Sequence, residues 1–129
     1  MLDTNIVSHI MRFPNSKPAD KMADYTPDEL AISSVVLAEL MFGAARVGST
    51  RLYLQIELVL RTVKVLDYDP PAAEHYANIR TELERTGTPI GGNDLLIAAH
   101  ARSTGAVLVM DNMREYSRVS DLQLENWLD

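Results

Sequence analysis

At 129 residues the chain has the length of one domain and enough material to close one substantial hydrophobic core, so residues 1–129 are expected to form a single unit. It has no cysteine, which excludes disulfides, thiolate metal sites and cysteine nucleophiles. No apolar run approaches the roughly 20 residues needed to cross a bilayer, and the N-terminus lacks signal-peptide character, so a cytoplasmic protein is expected. The formal charge of -6 argues against a high-affinity, metal-free nucleic-acid binder, and several acids gathered around divalent cations would invert the local field.

Met1-Leu2 can be only the end of a strand, and Asp3-Thr4-Asn5 offers cap chemistry for a helix through Ile6, Ile10 and Met11. The stretch Phe13 to Pro18 reads as a loop inside the domain, and disorder is expected only near Phe13 to Asp20. Leu30-Ala31-Ile32 reads as a short buried strand, and Ser33-Ser34 caps a helix from Val35 to about Arg46, ended by Gly48. Ser49 or Thr50 starts the next helix, with Leu52, Ile56, Val59 and Leu60 on one stripe and Arg51, Gln55 and Arg61 outside. A strand through Val63 and Val65 follows.

Asp69-Pro70-Pro71 is a helix start, with Ala72, Tyr76, Ile79 and Leu83 facing inward and a stop by Gly87. Beyond the turn Gly87 to Gly92, the segment Asp94 to Ser103 is apolar on most faces, the mark of a helix packed deep in the domain and ended by Gly105. Ala106 to Met110 has strand length, Leu122 and Leu124 alternate as a final strand, and Trp127 anchors the C-terminal region. Strands alternating with helices imply an α/β fold with a mostly parallel sheet covered by helices on both faces. In such sheets, ligands bind beyond the carboxyl ends of the strands.

Asp3 and Asp111 both follow strands, and a parallel sheet projects them from that same edge. Glu39 interrupts a helical stripe made by Val35, Val36 and Phe42, and Asp94 stands where a glycine-rich turn enters the apolar helix. Unpaired carboxylates about 5 Å apart repel by roughly 3 kcal/mol per pair at an effective dielectric of 20, so four converging acids need a cation or protonation. Oxygen ligands without thiolate or histidine favour Mg2+ or Mn2+, and phosphodiester hydrolysis is the matching reaction. Taken singly, Asp3 and Asp94 read as helix caps and Asp111 as a turn residue, while Glu39 is harder to explain that way, although a helix rotated by one residue would leave it at the rim; the combination carries the inference. His100 reads as a satisfied core or interface histidine, and His9 and His75 as surface positions.

Four segments together resemble PIN-domain toxins of the VapC type through almost the whole chain: Met1 to Asn5, Ser33 to Leu40, Gly87 to Asp94, and Asp111 to Tyr116, with Leu124 to Trp127 at the end. The resemblance implies a three-layer α/β/α sandwich, Mg2+- or Mn2+-dependent endoribonuclease activity, a homodimer, and inhibition by a VapB antitoxin. That antitoxin would lie over the early helices and could push a basic side chain into the acidic site. Carried onto matching positions, Asp3 and Asp94 are the principal metal ligands, Glu39 the third acid, and Asp111 or Asn112 the fourth position. Thr4 and Asn5 would support the first ligand by hydrogen bonding. Met110 and Gly92 depart from the family pattern, which commonly has a small hydroxyl residue and proline there.

Two other classes compete with this reading. An aspartate-nucleophile phosphatase would carry a second aspartate two residues after Asp3, where this chain has Asn5. A non-catalytic metal- or partner-binding module would bind an ion without cleaving RNA.

Overall fold

The computed structural model describes residues 1–128. Its strands are short and parallel. β1 (Ala31–Ser33) pairs with β2 (Lys64–Leu66), Ala31 opposite Lys64. β3 (Leu108–Met110) pairs with β4 (Leu124–Asn126), Leu108 opposite Leu124. The first three residues join the two pairs. On one side the Leu2 amide donates to the Ala31 carbonyl at 2.9 Å. On the other, Leu2 lies parallel to Val109, the Asp3 amide donates to the Val109 carbonyl at 2.9 Å, and the Val109 amide donates to the Met1 carbonyl at 2.7 Å. The spatial order is therefore β2, β1, the N-terminal segment, β3, β4, and every strand pairing among the described residues is parallel. Chain order reverses across the N-terminal segment, which makes its carboxyl end the switch point where open α/β sheets hold ligands.

The helices start and stop where side chains can satisfy backbone groups. α1 (Thr4–Arg12) is capped by the Asp3 carboxylate, which accepts from the Ile6 amide at 2.9 Å. α3 (Ser34–Val47) is capped by Ser33, and α4 (Thr50–Leu60) by Ser49. α5 (Pro70–Arg85) starts with the Asp69 cap and prolines in its first turn, which need no amide partner there. Gly48 and Gly105, at φ 69° and 70°, take the left-handed conformation that ends α3 and α6 (Gly92–Thr104). α6 buries Leu95, Ile97, Ala98, Ala99, His100 and Ala101, which is why its sequence is apolar on most faces. It packs chiefly on α5, with further contacts to α3 and β1.

The expected α/β class with parallel strands is present, and several local details differ. The proline-containing stretch read as a loop is a turn only as far as Ser16; Lys17–Ala23 forms α2, with Pro18 in its first turn. Gln55, placed on the outer face, is half-buried and donates to the Met11 carbonyl at 3.2 Å, tying α4 to α1. His75 is half-buried and accepts from Arg102 at 2.9 Å. His100 is the satisfied core histidine the sequence suggested: its Nδ1 lies 2.7 Å from the Ser33 hydroxyl, and Tyr68 packs edge-on at 5.3 Å. Trp127 is buried and stacks with Tyr25. Among the described residues, no helix is long and apolar enough to cross a membrane.

Candidate functional site

Asp3 lies at the switch point, and Glu39, Asp94 and Asp111, each delivered by a different element, lie near enough for their charges to act on it. Asp3 ends the N-terminal segment and is 2% exposed. One of its oxygens is used by the α1 cap, yet burial pushes its carboxyl up to about 7. The Ile6 amide opposes that rise, and the negative charges of Asp111, Asp94 and Glu39 add to it. Three acids distant in sequence therefore act on one buried carboxyl.

Glu39, in the second turn of α3, is half-buried and accepts from the Thr4 hydroxyl at 2.8 Å. Asp111 follows β3 and accepts from the Asn5 amide at 3.4 Å. Thr4 and Asn5, expected to support Asp3, instead hold Glu39 and Asp111. Asp94 is the third residue of α6 and does not cap it; the capping position is Gly91, which offers no side chain. Asp94 Oδ1 accepts from the Tyr116 hydroxyl at 3.0 Å. Burial and a hydrogen bond shared with Glu115 push the Asp94 carboxyl up to about 6; the Tyr116 hydroxyl opposes them, and the charges of Glu115 and Glu39 contribute.

Glu115 and Tyr116 were not singled out from the sequence. Both come from α7 (Met113–Tyr116), a single turn capped by Asn112. Asn112 accepts from the Glu115 amide at 3.4 Å and donates to the Glu115 carboxylate at 3.2 Å, so it fixes a fifth acid. The available signal was a cap residue followed three positions later by glutamate. Burial, then the charges of Asp3 and Asp94, raise the Tyr116 phenol far above its ordinary range, so it acts only as a donor. Met110, where the resemblance led to a small hydroxyl residue, is fully buried and serves the core.

Among the described residues, no three histidine, aspartate or glutamate side chains stand close enough to cage an ion as they are. The donor chemistry nonetheless fits a hard divalent cation. The donors are all carboxylate oxygens, His100 is turned away into its bond with Ser33, and the burial and neighbouring negative charge that raise Asp3 and Asp94 are what a cation would offset. A cleft of about 520 Å3 runs from Thr4 and Glu39 between α1, α3 and α4, with Arg12, Arg46 and Arg51 along it.

The profile of the PIN domain family matches residues 1–122. The chain belongs to the PIN-domain family. Similar proteins include Ribonuclease VapC2 of Haemophilus influenzae, 40% identical over 99% of this chain and 97% of that one. The tRNA(fMet)-specific endonuclease VapC of Shigella flexneri is 42% identical over 98% of this chain and 96% of its own. Among solved structures, VapBC2 from Rickettsia felis, bound to a DNA fragment from its promoter, superimposes with a TM-score of 0.88 at 35% identity, over 98% of this PIN domain and 97% of that chain. VapBC-1 from nontypeable Haemophilus influenzae gives 0.86 at 38% identity, over 100% and 98%.

Proposed function

We propose that this PIN-domain protein, acting as a single unit, is the endoribonuclease toxin of a toxin–antitoxin pair. Asp3, Glu39, Asp94 and Asp111 would hold Mg2+ or Mn2+. The observation that carries the reading is Asp3: a carboxyl 2% exposed, under the charge of three acids from three other segments. When bound, such an ion supplies charge neutralisation at a phosphodiester and activation of water for attack. The chain's own groups orient the carboxylates: Thr4 holds Glu39, Asn5 holds Asp111, and Tyr116 holds Asp94.

Charge distribution supports a polyanionic substrate. Asp3, Glu39, Asp94, Asp111 and Glu115 carry five formal negative charges, so the rest of the chain contributes only one of the net -6. The relatives named as ribonuclease and tRNA(fMet)-specific endonuclease support RNA, and the VapBC complexes support a VapB-like antitoxin. The α3 and α4 surface suits such a partner, since Phe42, Leu54 and Leu58 are all more than half exposed. The cytoplasm and a homodimer complete the proposal.

The decisive experiment incubates the purified chain with a labelled RNA pool in Mn2+ or EDTA, beside Asp94→Asn. Cleavage is expected only in Mn2+, with at least a hundredfold loss in the folded variant, because a ligand is removed. Full activity of Asp94→Asn, or of the wild type in excess EDTA, refutes the assignment.

A further inference from the structure

Aspartate carboxylates rotate easily, because the torsion next to the carboxyl is broad and roughly two-fold. Asp94 has no task in capping α6 that would fix it. A donor from elsewhere does so. Tyr116 is fully buried, so its ring has no freedom to swing the hydroxyl away, and that hydroxyl reaches Asp94 Oδ1 at 3.0 Å across 22 positions of sequence. Its backbone is equally constrained: the Tyr116 amide donates to the Asn112 carbonyl at 3.1 Å, and the Val119 amide donates to the Tyr116 carbonyl at 3.1 Å. Glu115, the neighbouring residue on the same turn, competes for the same carboxyl by sharing a hydrogen bond with it.

We propose that Tyr116 is a positioning residue for the nuclease site: its buried hydroxyl fixes the rotation of the Asp94 carboxylate, engaging one oxygen and leaving one to serve as a ligand. The inference rests on the metal-site reading above and adds to it a specific residue. Without the hydroxyl, only the hydrogen bond shared with Glu115 restrains the Asp94 carboxyl, and a cation must reorder it on binding.

Tyr116→Phe keeps the ring that fills the core and deletes only the donor, so far-UV circular dichroism and metal-free melting are expected to match the wild type closely. Calorimetric titration with MnCl2, in the absence of RNA, is expected to show about tenfold weaker binding. Turnover falls by a similar factor, while KM for RNA stays within about twofold. In an Asp94→Asn background the second substitution changes Mn2+ affinity no further, because the carboxylate it orients is gone. Wild-type Mn2+ affinity in Tyr116→Phe, or an equal loss in both backgrounds, overturns the proposal. A wild type that binds no Mn2+ overturns it together with the metal-site reading. Tyr116-dependent Mn2+ binding without RNA cleavage upholds the positioning role and removes only the nuclease activity.

Discussion

Asp3→Asn removes the most buried charge of the site and keeps the side-chain oxygen that accepts from the Ile6 amide, so the α1 cap survives. The sign of its effect on stability follows from proton uptake. The folded Asp3 carboxyl holds its proton up to about 7, against an ordinary value of 3.8. Between these values the folded state binds more protons than the unfolded one, so stability falls as pH rises through this window. Relative to a neutral side chain, the Asp3 carboxyl costs the folded state about 4 kcal/mol at pH 7.5 and about half as much at pH 5. Asp3→Asn is therefore expected to be more stable than the wild type in EDTA, by about 2–4 kcal/mol at pH 7.5 and by clearly less at pH 5, while losing Mn2+-dependent cleavage. Guanidinium unfolding at the two pH values measures both gaps. A variant no more stable than the wild type at pH 7.5, or a gap that does not shrink on acidification, refutes the reasoning.

The metal-free wild type is expected to melt at progressively lower temperature from pH 5 to pH 7.5, since Asp94, held up to about 6, acts in the same direction as Asp3. Saturating Mn2+ should raise the melting temperature most at the alkaline end, and thermal melts across that range check it; a shift independent of pH counts against carboxylate ligation. Ser33→Ala removes the α3 cap and leaves His100 Nδ1 without its buried partner, so a destabilisation of about 2–3 kcal/mol in denaturant unfolding is expected. A cost below about 0.5 kcal/mol would mean that this pair contributes little to holding α6 against β1.

What could be read from the sequence divides along physical lines. Asp3 and Asp111 were legible because a parallel sheet places every strand's carboxyl end on one edge, and topology alone brings them there. Glu39 was legible because it broke an apolar stripe. Thr4 and Asn5 were assigned to the wrong acid because adjacency in sequence suggests adjacency in space; once α1 begins, successive side chains fan out by about 100° per residue, and each reaches a different carboxylate. Glu115 and Tyr116 stayed hidden because a one-turn helix has no periodicity to detect. α2 was missed because prolines next to a turn read as loop, although Pro18 sits where a helix tolerates it.

The architecture also explains why the acidic crowding persists. The N-terminal segment is hydrogen-bonded on both sides, to Ala31 and to Val109, and Asp3 is further tied to Ile6. Its backbone cannot retreat from the other acids without breaking the contact that joins the two strand pairs. The backbone of Asp94 is likewise fixed by α6, whose middle is buried from Leu95 to Ala101 apart from a half-buried Leu96 and is pinned through His100 to Ser33 at the end of β1. Repulsion therefore cannot be relieved by movement of the chain. It is relieved by taking up protons, the direction in which the Asp3 and Asp94 carboxyls are shifted, and, under the proposed function, would be relieved by a cation, for which the same rigidity would keep the carboxylates in place.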